Sequence, residues 1–77
     1  MLNENQIFKR MQKAYIEYYG DSAEDEWYGR DDSKEWEFHR PSTDIYVKMV
    51  MDEAAKRINI YEGKTKIDYK YVGNYSW

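Results

Sequence analysis

STDIYVKMVMDEAAKRINIY, residues 42–61, carries two periodicities that cannot both be used. Placed on a helix at about 100° per residue, Tyr46, Val47, Val50, Met51, Ala54, Ala55, Ile58 and Tyr61 share one broad face. Lys48, Asp52, Lys56 and Asn59 fall opposite, and Met49 falls off the stripe. Pro41 ends whatever precedes the stretch. Ser42 can cap, and Asp44 would sit in the first turn, where the helix dipole favours an anion. Asp52–Lys56 and Glu53–Arg57 are oppositely charged pairs four residues apart. Read instead with a period of two, Ile45, Val47, Met49 and Met51 alternate, and a hairpin of 34–40 with 45–51 around Pro41–Asp44 competes. The stripe's continuation through Ala54, Ile58 and Tyr61 favours a central helix.

Outward from that stretch, residues 3–19 read as a first helix. Ile7, Phe8, Met11, Ala14, Tyr15, Tyr18 and Tyr19 form its stripe. Asn3 with Gln6 resembles a capping box, and Gly20 is a natural stop. Lys34 to His39 alternates and predicts a short strand with Trp36 and Phe38 on one side. Ser22 with Asp25 three residues on predicts a helical turn ending near Gly29. After Gly63, Lys64, Lys66, Asp68 and Lys70 alternate with Thr65, Ile67, Tyr69 and Tyr71, which predicts a half-buried strand. Residues 60–62 can pair back on it, and 74–77 is a tail. The expected fold is α+β: two amphipathic helices packed on a small two- to three-stranded antiparallel sheet, in a single small domain spanning 1–77.

Composition bounds the chemistry. A chain of 77 residues buries only about 60% of the surface that it exposes when unfolded, so bulky side chains must supply much of the core. There is no cysteine, so disulfides and thiolate metal sites are excluded. No apolar run is long enough for a transmembrane helix or a signal-peptide core, and a cytoplasmic location is expected. Net charge is −3, unevenly spread. Residues 1–37 hold ten acids and five bases, and residues 38–77 hold five acids and seven bases.

Specific chemical motifs fail one by one. Gly63-Lys64-Thr65 ends like a phosphate-binding loop, but Ile58 stands where the pattern needs glycine, and a strand rather than a helix is predicted to follow. His39 is the sole histidine, and no carboxylate near it is singled out as an orienting partner. The acids between Asp25 and Asp31 lack the alternating ligand pattern of a calcium loop. No catalytic residue, metal or cofactor is assigned, and the chain is expected not to be an enzyme.

The remaining signal is the acidic stretch 21–37, in which aromatics are interleaved. Trp27, Tyr28 and Trp36 would anchor a partner, and Asp31, Asp32, Glu35 and Glu37 would supply charge. The expected function is a non-enzymatic protein-binding module that engages a basic partner. In size, charge and aromatic content the chain resembles small acidic phage and mobile-element proteins that inhibit nucleic-acid-processing enzymes by presenting carboxylates in place of phosphates. No motif carries that resemblance. Two alternatives are a single-strand nucleic-acid binder using the Lys/Tyr strand 64–71, and a structural homodimer through Ile16, Ile45 and Met49. The first is disfavoured because alternation puts its tyrosines and lysines on opposite faces.

Overall fold

A computed structural model describes residues 2–20, 24–29 and 34–77. One helix, α1 (Glu4–Tyr19), is followed by β1 (Glu26–Trp27), β2 (Glu35–Arg40), β3 (Ile45–Asp52), β4 (Arg57–Gly63) and β5 (Lys70–Ser76). The strands form one antiparallel sheet in sequence order, β1-β2-β3-β4-β5. The predicted strand Lys34–His39 is formed as β2, and Ile60–Glu62 lies within β4.

The helix follows its sequence signals. Gln6 N donates to Asn3 Oδ1 at 2.9 Å and Asn3 N to Gln6 Oε1 at 3.0 Å, which completes the capping box. Gly20, at φ 70, closes the far end by donating its N–H to Ile16 O at 2.9 Å. Ile7, Met11, Ala14 and Tyr15 face the sheet and are buried.

The central helix is not formed. Residues 42–61 instead give most of β3 and β4, paired from Tyr46–Gly63 to Asp52–Arg57. The sheet is therefore five-stranded and covered by one helix, which corrects the expectation of two helices on two or three strands. Val47, Met49, Met51, Ile58 and Ile60 point inward and are buried, so the period of two accounts for the apolar side chains better than the helical stripe. Met49, the exception on the helical stripe, is fully buried, whereas Ala54 and Ala55 are exposed in the turn. That turn sets its own geometry. Ala55 N donates to Asp52 Oδ1 at 3.2 Å, Lys56 N donates to Glu53 O at 3.2 Å, and Lys56 takes φ 54. The β2–β3 turn, residues 41–44, is built alike, with Thr43 N donating to Arg40 O at 3.3 Å and Asp44 at φ 53.

Two further expectations change. Residues 64–69 form a loop, and β5 begins at Lys70 and runs through the predicted tail. Gly63 already lies opposite Tyr46 near the start of β3, so the residues after it have little strand left to pair with. The Asp68 carbonyl then closes so tightly on Gly63 that a Cβ there would collide with it. Glu26–Trp27 forms a strand where a helical turn was expected, and Ser22 lies outside the described residues.

Trp36 and Phe38 are fully buried beneath the helix. Phe8 meets Trp36 at 5.2 Å between ring centroids, Tyr15 meets Phe38 at 5.3 Å, and Trp27 meets Phe38 at 4.4 Å. Such pairs add about 0.5–1.5 kcal/mol each beyond the area they bury. The strand assignment can be checked through neighbouring residues. Met49→Ala should cost about 2–5 kcal/mol in chemical denaturation. Val50→Ala, on the half-buried outer face, should cost under about 1 kcal/mol. The reverse order would support the helix.

Candidate functional site

Among the described residues no helix covers the sheet face opposite α1. Strand alternation turns Glu26 of β1, Glu35, Glu37 and His39 of β2, Tyr46, Lys48 and Val50 of β3, and Asn59 and Tyr61 of β4 to this side. A register shift between Ile60 and Tyr61 aligns Tyr71 with Tyr61, and their rings lie 5.8 Å apart. One row across the sheet is thus Glu37, Lys48, Tyr61 and Tyr71.

The 64–69 loop folds over the same face. Tyr69 Oη lies 3.3 Å from Tyr28 Oη. Lys48 Nζ is 5.9 Å from the Tyr69 ring centroid. Lys66 Nζ sits 4.6 Å from the centre of Tyr28 and 6.0 Å from that of Tyr46. Five tyrosines, Tyr28, Tyr46, Tyr61, Tyr69 and Tyr71, therefore converge here. Burial, reinforced by the hydrogen bond with Tyr28 and the negative charge of Glu37, pushes the Tyr69 phenol well above its usual range.

His39 is clamped between two carboxylates. Its Nδ1 lies 2.8 Å from Glu26 Oε1 and its Nε2 3.0 Å from Asp44 Oδ1, while its ring packs 4.7 Å from Tyr46. Only the imidazolium donates from both nitrogens at once. The Glu26 hydrogen bond first, and the Asp44 bond second, raise its pKa above 6.5. With both nitrogens engaged, neither is free to take a proton from a substrate. The two carboxylates sit on opposite sides of the ring, so they do not converge on a common point where a cation would bind. Among the described residues no cluster of His, Asp and Glu side chains is arranged to hold a metal.

The acidic stretch is divided by the fold. Tyr28, Glu35 and Glu37 reach the helix-free face, with Glu35 3.4 Å from Lys48 and the Glu37 backbone paired with Gly29. Trp36 is fully buried and Trp27 packs against it, so the alternation that sends the acids outward sends these two rings into the core. Asp31 and Asp32 lie outside the described residues.

Asp25 is buried as well. It accepts a hydrogen bond from Tyr15 Oη at 2.6 Å and lies 3.5 Å from Arg40 Nε. The Arg40 guanidinium stacks on Tyr19, whose hydroxyl donates to Glu62 at 2.5 Å. Burial, and then the Glu62 bond, raise the Tyr19 phenol far above its usual range. Asp25 thus pins 24–29 to the helix and the sheet and is not part of a charged surface.

Sequence reasoning groups Lys66, Tyr69 and Tyr71 only as one strand with rings and cations on opposite faces, and misses their meeting with Tyr28, Tyr46, Lys48 and Tyr61. The alternating reading of 45–51 would have paired Tyr46 with Lys48, but nothing local announces the loop that brings in Lys66 and Tyr69. Of the three residues expected at a homodimer surface, Met49 is fully buried and Ile45 packs against the core, while Ile16 is exposed on the back of the helix. Among the described residues no helix is long and apolar enough to cross a membrane. Comparison with known proteins finds no match among family models, curated proteins or solved structures.

Two measurements test these assignments. Asp25→Ala strands the Tyr15 hydroxyl and the Arg40 charge, and should cost about 2–3 kcal/mol in urea denaturation. Glu17→Ala, on the exposed face of the helix, should stay within about 0.5 kcal/mol. The His39 pKa, followed by NMR, should lie above 6.5 and fall in Glu26→Gln. Because the folded state holds this proton more tightly, the clamp's contribution to stability is fully present below pH 6.5 and is lost as pH rises through the folded pKa. A His39 pKa at or below 6.5 would rule out the clamp.

Proposed function

We propose that this chain is a non-enzymatic protein-binding module whose helix-free sheet face contacts a basic partner. The observation that carries the reading is the gathering of Tyr28, Tyr46, Tyr61, Tyr69 and Tyr71 on one face beside the carboxylates of Glu26, Glu35 and Asp44. Those carboxylates are 67%, 61% and 90% exposed. Antiparallel sheets commonly leave one face to water, and charged or short polar side chains suffice to solvate it. Tyrosine adds large contact area with few rotatable bonds, which suits an interface. The anchors are thus tyrosines of the sheet face and not the tryptophans of the acidic stretch.

Lys48, Lys66 and His39 lie among the acids. This interleaving is unlike a continuous row of phosphates, and it favours recognition of a mixed, net basic protein surface over simple phosphate mimicry. The placement of Lys48 over Tyr69 and Lys66 over Tyr28 gives single-strand nucleic acid a second claim, since cations and aromatics now share a surface. The exposed carboxylates on that surface and the net charge of −3 favour protein.

Site-specific photo-cross-linking distinguishes these readings. A benzophenone amino acid at position 71, on the sheet face, or at position 16, on the back of the helix, is irradiated in a lysate of the source cells. Position 71 should give a discrete protein adduct that survives nuclease treatment, and position 16 should give none. An adduct at position 16 alone, or none at either, overturns the reading. An adduct that carries nucleic acid turns it to the second claim.

A further inference from the structure

The helix-free face already holds a cation of its own. Lys66 reaches back from the 64–69 loop and sets its ammonium 4.6 Å from the centre of Tyr28 and 6.0 Å from that of Tyr46. Glu26 and His39 complete the lining of that recess. The negative faces of two phenol rings and the carboxylate of Glu26 make a good environment for a positive charge, and Asp44 adds its charge on the far side of His39. The contact is weak, because Lys66 is exposed and so are its neighbours Thr65 and Ile67, although Asp68 and Tyr69 hold the far end of the loop to the sheet. Ile67, next along, is 93% exposed, and Ile67 N donates to Thr65 Oγ1 over a long 3.4 Å. An exposed cation–π contact contributes about 0.5–1 kcal/mol, so little holds the ammonium in place.

We infer that the recess between Tyr28 and Tyr46 is a binding site for a lysine side chain of the partner protein, occupied in the free protein by Lys66 as an internal stand-in. The inference rests on the proposed contact face and names the chemistry recognised there. A partner lysine displaces the Lys66 ammonium, takes its place against the two rings, and leaves the Lys66 side chain to swing into solvent. The affinity seen by the partner is lowered by the fraction of time that Lys66 fills the site.

The test is an NMR titration with a short capped peptide, Gly-Gly-Lys-Gly-Gly, against the same peptide with norleucine in place of lysine. The lysine peptide should shift the Tyr28 and Tyr46 ring resonances saturably, and the norleucine peptide should not. Lys66→Gln, which empties the site, should tighten binding by about two- to fivefold. Tyr28→Leu, at a 43% exposed position, should abolish the shifts while leaving the charge of the protein unchanged. Equal affinity in wild type and Lys66→Gln overturns the stand-in. Shifts that survive Tyr28→Leu would show general attraction of a cation to an acidic protein, and the site falls. Shifts confined to Tyr61 and Tyr71 would move the contact elsewhere on the same face, so that the lysine site fails while the contact face stands. With no shift at any of the five tyrosines the lysine site falls, and the contact face then rests on the cross-linking result alone.

Discussion

One helix is too narrow to cover a five-stranded sheet. An α-helix with its side chains is about 10 Å across. Five strands at about 4.8 Å spacing span about 19 Å between the outer axes. The difference has to be filled by side chains that reach sideways, and the aromatic residues do this. Phe8, Trp27 and Tyr19 close the gap toward β1 and β2. Tyr75 and Trp77 close it toward β5, where the Arg10 guanidinium lies 4.8 Å over the Trp77 ring. Tyr18 crosses Gly73, whose missing Cβ leaves room for it, and donates its hydroxyl to Asn74 O at 2.9 Å. An aromatic fraction of 18% is therefore first a requirement of the covered face. Only the tyrosines on the other face call for a second explanation.

The same constraint leaves the opposite face uncommitted to the core. With the apolar side of every long strand committed to α1, the opposite side is free to carry chemistry, and its residues inherit the rigidity of the ladder beneath them. Tyr46, Lys48 and Tyr61 are held in register by β3 and β4. Below the sheet, the Tyr15–Asp25–Arg40 network ties the 24–29 segment, and with it Tyr28, to the same framework. The sheet-face tyrosines are thus pre-positioned, which lowers the ordering cost of contact.

Legibility in the sequence followed how local the deciding interactions are. Helix α1 was readable because its caps, Asn3 with Gln6 and Gly20, lie within one turn of the elements they end. The 42–61 stretch misled because Ala54, Ala55, Lys56 and Arg57 are strong helix formers and because inward strand positions coincide in part with a helical stripe. Met49 was the residue that separated the two readings, unexplained on the stripe and fully buried in the strand. The alternation of Glu35, Trp36, Glu37 and Phe38 marks a strand by itself. Which of its sides would be buried was not legible until the position of the helix was known. Alternation after Gly63 was real in the sequence but lacked a neighbour. Pairing partners lie far along the chain, and no local pattern records that β3 begins only at Ile45, so that the 64–69 segment has no strand opposite it.

A surface that is rigid beneath and carries a light loop above has a selective property that neither part has alone. Free cations and unspecific basic segments meet a recess between Tyr28 and Tyr46 that is already filled by Lys66, joined to the sheet through a short loop and therefore present at high effective concentration. A ligand offering one positive charge gains only the difference between its own contact and the internal one. A ligand that places its charge there and also covers Tyr61 and Tyr71 gains area that Lys66 does not supply. Discrimination then comes from the rest of the face, with the internal lysine acting as the competitor against which every basic surface is measured.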